Sequence, residues 1–256
     1  MDLPLLEDDL DSLEFIEPRN VVDSKDMPTR VVFCFFTEII DAIAARADAR
    51  VVDTLTWAHG PHRVIEIEHR GKRLAVVHAG VGAPLAGGLL EEVIALGGRS
   101  FVAVGGAGSL VPELVMGHVV VVDSAIRDEG TSFHYLAPSR VIEADPVLVA
   151  SVEATLVAAD VPFVTGRTWT TDGVYREART RVARRVERDR CLTVEMEASA
   201  LMAVAAYRGV RLVSLLYAGD SLAADVWDHR GWHSAYAVRE GLFWLAADAA
   251  LDLPAD

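Results

Sequence analysis

The stretch Thr193-Val194-Glu195-Met196-Glu197-Ala198-Ser199-Ala200 sets two carboxylates one residue apart where an apolar run turns into a helical pattern. Acids at a helix start complement the macrodipole, which is one reading of the pair. The other is chemical: a carboxylate facing a cleft accepts hydrogen bonds from two neighbouring hydroxyls, as on a sugar ring. Asp220 closes the apolar run VRLVSLLYAG (210–219). Desolvation there raises a carboxyl pKa and keeps the group protonated, the state that a general acid needs. Its alternative reading is an N-cap for the segment that follows. Glu38 follows VVFCFF (31–36) at the first turn of a helical pattern, again where an acid suits the helix dipole.

Two glycine-rich segments follow apolar runs directly. Ala79-Gly80-Val81-Gly82 comes after LAVVHA (74–79), and Gly105-Gly106-Ala107-Gly108 after SFVAV (100–104). As turns they would present backbone N–H groups at the carboxyl ends of strands, where open α/β sheets bind ligands. Packing alone is the competing explanation. The first is not a dinucleotide fingerprint, because GVGAPLAG lacks the third glycine at its proper place.

Strand and helix patterns alternate around these residues. VVFCFF precedes a helix at 38–47, LAVVHA precedes one at 85–96, and SFVAV is followed by the strand HVVVVDSAI (118–126). Helices are predicted at 146–159, 176–188, 196–208 and 235–251, with strands at 162–171 and 210–219. Val- and Leu-rich strands joined by helices argue for a mixed or parallel sheet covered on both faces. Residues 1–28 read instead as an acidic, Pro-punctuated arm with seven acids before the first base, Arg19, and residues 29–256 as one α/β domain.

Composition narrows the function classes. With 256 residues, 52% of them hydrophobic and 24% charged, the chain can bury a sizeable core. The 24 Lys and Arg against 38 Asp and Glu give a formal charge of −14, and no basic block could neutralise a phosphate backbone, so nucleic acid is not an expected partner. Cys34 and Cys191 are too few for a disulfide framework or a Cys-rich zinc site. Apolar runs such as 119–122 and 242–247 fall far below the roughly 20 residues of a membrane span. A cytoplasmic protein without membrane partners is expected.

The segments GVGAPLAGGLLEEVIALG, VGGAGSL, RDEGTSFHY, TTDGVYRE, VEMEASAL and AGDSLA, in this order, resemble the nucleoside phosphorylase superfamily, which includes uridine phosphorylases, bacterial purine nucleoside phosphorylases and methylthioadenosine nucleosidases. The resemblance implies one α/β domain around a mixed, partly barrel-like sheet flanked by helices. It implies a dimer or a hexamer of dimers, a small-molecule nucleoside as partner, and cleavage of a ribosyl N-glycosidic bond. By the same resemblance Glu197 grips the ribose hydroxyls, with Met196 packing on the sugar and Glu195 nearby. Val174 and Tyr175, after Asp172, line the base pocket. Asp220 matches the acid that protonates N7 of a leaving purine, which the uridine enzymes lack, so a purine-type base is expected. Neutralising the departing base in this way lowers the barrier by about 10²- to 10⁴-fold in rate.

The phosphate region departs from the family pattern. Where a phosphorylase carries Gly and Arg after its first strand, this chain reads Phe33-Cys34-Phe35-Phe36-Thr37-Glu38. The Arg expected before the second glycine segment corresponds to Ala103, and its Ser or Thr to Gly106. Gly82, Gly105 and Gly106 then remain as the phosphate or nucleophile region, with orthophosphate as the family's acceptor and co-substrate and no other cofactor expected. Arg63 or His62 are candidate replacement cations, against the simpler reading of solvent-exposed charge. Glu38 matches the Glu that activates water in the nucleosidases, which makes hydrolysis the alternative, although their Arg four residues before the strand-end acid is Leu216 here. A non-catalytic nucleoside binder is the remaining alternative. His134 and Tyr135 read as structural or as near the nucleoside 5′ group, WDHRGWHS (227–234) as a lid, and no metal is expected because no His/Cys/Asp grouping has ligand spacing.

Overall fold

The computed structural model describes residues 3–7 and 10–254; residues 1–2, 8–9 and 255–256 of the predicted arm and domain lie outside them. After two short turns the chain forms β1 (Arg30–Cys34), α1 (Thr37–Ala44), β2 (Arg50–Trp57), β3 (Gly60–His69), β4 (Lys72–His78) and α2 (Ala83–Leu96). It continues as β5 (Ser100–Ser109), β6 (Val119–Asp128), β7 (Val141–Glu143), α3 (Pro146–Ala158), β8 (Phe163–Thr171) and α4 (Arg179–Glu187). The last elements are β9 (Cys191–Glu195), α5 (Ala198–Arg208), β10 (Arg211–Ser221) and α6 (Tyr236–Asp252).

The strands form one mixed sheet in the order β10-β6-β8-β9-β5-β1-β4-β3-β2, with β7 added to β6. Because β10 also pairs in parallel with β5, the strands β5, β10, β6, β8 and β9 close on themselves as a five-stranded barrel. This is the predicted mixed, partly barrel-like α/β domain. The Val-rich β6 and β10 are buried almost throughout, as expected of strands covered on both faces. One apolar layer packs α1, α3 and α6 against the sheet through residues such as Ile39, Val152 and Phe243. A second packs α2 and α5 against its other side through Leu89, Phe101 and Leu201. Each such side chain, fully buried, contributes about 1.5–3 kcal/mol.

Local signals set two of the helix ends. α2 begins with Pro84 in its first turn after Gly82, whose φ of 96° suits glycine. α5 stops at Gly209 in the left-handed conformation.

Two sequence expectations are corrected. Gly105 to Gly108 are not a turn: β5 runs through them, pairing Gly105 and Gly106 with Leu216 and Tyr217 of β10 and Gly108 with Val194 of β9. Glycine is needed there for close approach, since a Cβ on Gly106 would lie 2.9 Å from the Tyr217 ring and one on Gly108 would lie 2.8 Å from Leu222. The helix expected from residue 176 starts at Arg179, after a single 3₁₀ turn at Val174–Arg176. The β2–β3 hairpin was not anticipated, because one face is solvated and carries alternating charge.

Candidate active site

A cavity of about 370 Å³ opens at the barrel rim, where the ends of β1, β5, β9 and β10 meet α6 and the 3₁₀ turn at Val174–Arg176. Three groups of polar side chains face it.

The first is built on the junction of β9 and α5. Glu197 holds the N-cap position of α5, is 8% exposed, and accepts hydrogen bonds from the N–H groups of Gly82 at 2.6 Å and Met196 at 3.3 Å. Burial, with the nearby Glu195 charge, pushes its carboxyl up to about 8. Glu195 accepts from the N–H groups of Glu197 and Ala198 and from the Thr170 hydroxyl, at 2.6–2.7 Å. Burial outweighs those bonds and raises the Glu195 carboxyl too. Glu195 therefore secures the first turn of α5, and Glu197 is left facing the cavity beside Met196.

The second group joins α1 to α6. Glu38, in the first turn of α1, forms an ion pair with Arg239 of α6 at 2.5 Å. The Arg239 guanidinium also donates to the Tyr217 hydroxyl at 3.1 Å and to the Trp232 carbonyl at 2.8 Å, and lies 5.4 Å from the centre of the Phe36 ring.

The third lies at the end of β10. Asp220 accepts from the Trp227 indole N–H at 2.6 Å. Glu177, after the 3₁₀ turn, lines the same cavity; burial, helped by the Asp220 charge, pushes its carboxyl up to about 7. Among the described lining residues, Glu38, Glu177, Glu195, Glu197 and Asp220 carry five carboxylates, against the single cation Arg239.

Residues 29–240 match the family model of the phosphorylase superfamily. The chain belongs to the phosphorylase superfamily. A uridine phosphorylase of Thermococcus kodakarensis is 30% identical over 118 residues, which cover 46% of this chain and 42% of that protein, less than half its length. A guanosine phosphorylase of Halorubrum lacusprofundi is 25% identical over 215 residues, covering 82% and 88%. Among solved structures, the uridine phosphorylase of Vibrio fischeri superposes with a TM-score of 0.74 at 21% identity, covering 91% of this chain and 94% of that one. The purine nucleoside phosphorylase of Toxoplasma gondii, in complex with immucillin-H, gives 0.74 at 18% identity, covering 89% and 91%. At these identities the superpositions establish the shared fold.

Within this phosphorylase-superfamily fold, the cavity gathers Glu38, Val174, Glu195, Met196, Glu197, Asp220 and the glycines 105 and 106. Gly82 contributes its N–H to Glu197. Tyr175 and Asp172 stand apart from it. The 3₁₀ turn leaves Tyr175 96% exposed, and Asp172 accepts from the Gly130 N–H instead of lining this cavity. Of the candidate cations, Arg63 pairs with Asp41 at 2.6 Å, whereas His62 is buried, stacks on His78 and bonds His59. His134 and Tyr135 border a separate cleft beneath the arm, which Glu14 ties to Tyr207. In WDHRGWHS, Trp232 lines the cavity and Trp227 reaches Asp220.

Arg239, Tyr217 and Glu177 were not anticipated. Arg239 sits in a closing helix whose pattern gives no sign of a partner; Tyr217 is one polar tip in an apolar strand. Glu177 lies within TTDGVYRE, whose other residues drew the attention. Among the described residues, no group of three or more His, Cys, Asp or Glu is placed to hold a metal ion, and no helix is long and apolar enough to cross a membrane.

Proposed function

We propose that this protein cleaves the N-glycosidic bond of a purine-type nucleoside with water as acceptor. The observation that carries this reading is the state of the one cation among the described lining residues: the Arg239 guanidinium is already engaged by the Glu38 carboxylate, the Tyr217 hydroxyl and the Trp232 carbonyl. A phosphate dianion entering beside Glu38 would meet like charge worth about 4 kcal/mol per pair of unit charges at 4 Å and an effective dielectric of about 20. Water meets no such penalty.

Each group then has a task. Glu197 and Met196 hold the ribose, with Glu195 fixing the helix turn that carries them. Glu38 accepts the proton of the water that attacks the anomeric carbon, and Arg239 and Tyr217 hold Glu38 in place. The carboxyl group at the end of β10 faces the base and, with its neighbour, supplies the proton that lets the base leave uncharged.

Phosphorolysis is the second reading. It is favoured by the presence of a guanidinium, Arg239, near Gly105 and Gly106, and by relatives named as uridine and guanosine phosphorylases. The deciding experiment is base release from purine and pyrimidine nucleosides with and without orthophosphate, the sugar product being identified by mass. Free ribose formed at equal rates in both buffers supports hydrolysis. Ribose 1-phosphate formed only with phosphate overturns it, and tight binding without turnover would leave a nucleoside-binding protein.

A further inference from the structure

Three buried side-chain atoms among the described residues have no hydrogen-bond partner: Arg185 Nε, Thr193 Oγ1 and Ser214 Oγ. Of the three residues only Ser214 lines the cavity. It is 2% exposed. Its partner in register on β5 is Ala103, which pairs in turn with Phe33 of β1, so the three stand in one row across the sheet. Two residues further along, Leu216 pairs with Gly105, where a Cβ would lie 3.1 Å from the Phe35 ring. The Phe35 N–H donates to the Val104 carbonyl at 3.1 Å, which pins the segment leading into Glu38 against the same stretch of β5. Ser214 and Glu38 thus line one cavity from the two sides of β5.

A hydroxyl left unpaired in a buried setting is costly, and it calls for a reason beyond packing. Its surroundings decide what it can meet. Phe35, Ala103, Gly105 and Leu216 bring no charge, so this inner end of the cavity suits a neutral group with a hydrogen-bonding atom and not an oxyanion. We propose, resting on the hydrolytic reading above, that the inner end is the acceptor subsite and that Ser214 holds the attacking water. Ser214 Oγ accepts one hydrogen of that water, Glu38 accepts the other, and a lone pair stays free for the anomeric carbon. The same subsite takes a one-carbon alcohol, whose hydroxyl faces Glu38 and whose methyl group meets the apolar walls.

In the chemical step the C1′–N9 bond breaks and its electrons pass to the base, which takes a proton from the carboxyl at the end of β10. The water oxygen bonds C1′ and its proton passes to Glu38. Ser214 keeps its own proton throughout. Exchange with solvent resets the two carboxyl groups, and the sum is nucleoside plus water giving base plus ribose. With methanol in place of water the sugar product is methyl riboside.

The test compares the full-length protein with Ser214→Ala on a purine nucleoside, in buffer and in buffer with methanol, each with and without orthophosphate. The sugar products are identified by mass, and thermal melts are run on both proteins. Ser214→Ala should lower kcat by about tenfold, as for the loss of one neutral hydrogen bond, with KM within about threefold. The ratio of methyl riboside to ribose should rise by about threefold, because water loses a partner that methanol never used. The melting temperature should stay level or rise, since an unpaired buried hydroxyl has been removed. Wild type that releases ribose, with turnover or product ratio unchanged in Ser214→Ala, overturns the subsite and leaves the hydrolytic reading standing. A melting temperature that falls along with turnover does the same, as does the absence of methyl riboside from both proteins. Wild type that makes only ribose 1-phosphate, or no product at all, overturns the hydrolytic reading and the subsite with it.

Discussion

Arg239 Nη1 lies 2.5 Å from Glu38 Oε1, although 201 residues separate the two in the chain. The contact closes the cavity between α1 and α6, so the group proposed to activate water is positioned by a helix remote from it in sequence. The Arg239 side chain is 11% exposed and that of Glu38 is 38% exposed, so the pair is partly screened from solvent.

Glu38→Gln keeps the shape and removes the proton acceptor. Nucleoside hydrolysis should fall by about 10²-fold. Arg239→Gln should lower kcat by about tenfold and cost about 1–2 kcal/mol of stability, less than a fully buried pair would, because Glu38 reaches solvent. Steady-state kinetics and thermal melts measure both; unchanged turnover in Glu38→Gln would remove it from the mechanism.

Stability of the ligand-free protein should fall as the pH rises from about 7 to about 8.5. Glu177 and Glu197 are raised from 4.5 to about 7 and about 8, so the folded state binds their protons more tightly than the unfolded state. Stability from such groups is full below the unfolded pKa and is lost as the pH climbs through the folded one. His62 and His78 are lowered from 6.5 by burial and have the opposite slope, but below this window. Thermal melts across the range should show a falling midpoint in wild type and a flatter one in Glu197→Gln; a rising wild-type midpoint contradicts the assignment.

Gly106→Ala would bring a methyl group to 2.9 Å from the Tyr217 ring, which cannot swing aside without disturbing its bond to Arg239. A loss of about 1–3 kcal/mol is expected from overpacking, together with reduced turnover. Gly241→Ala, on an open stretch of α6 with nothing within 4 Å, is the matched control and should leave stability unchanged or slightly higher.

Trp227→Phe removes the indole donor from Asp220 but keeps an aromatic ring in the loop. The kcat/KM for a purine nucleoside should fall by about tenfold, in line with losing one hydrogen bond that fixes the Asp220 carboxyl. p-Nitrophenyl ribofuranoside, whose nitrophenolate leaves without needing a proton, should be far less affected. Equal losses on both substrates would assign the loop a general structural role.

The alternation of apolar runs and helical patterns was enough to expect the mixed sheet and most of its helices, because buried strands and amphipathic helices carry different periods. Glu38, Glu197 and Asp220 could be picked out because each is an acid at the end of an apolar run. What stayed hidden depends on partners remote in sequence. Nothing around Arg239 marks it as the partner of Glu38, and nothing in TTDGVYRE shows that Glu177, not Tyr175, turns inward. Gly105 to Gly108 misled for a related reason: glycine in a turn and glycine under a packed ring look alike until the ring, here Tyr217, is placed.

The closed barrel has a bearing on self-association. Its five strands offer no free edge, so backbone groups around the cavity have no spare positions for an added strand. Among the described residues the open borders of the sheet are the three-residue β7 and the outer hairpin strand β2, whose pairing is interrupted by an irregularity between Val51 and Asp53. Shortness and a bulge are two ways in which natural sheets resist edge-to-edge aggregation. Damage that promotes strand addition should therefore begin at those borders and leave the closed barrel paired to itself.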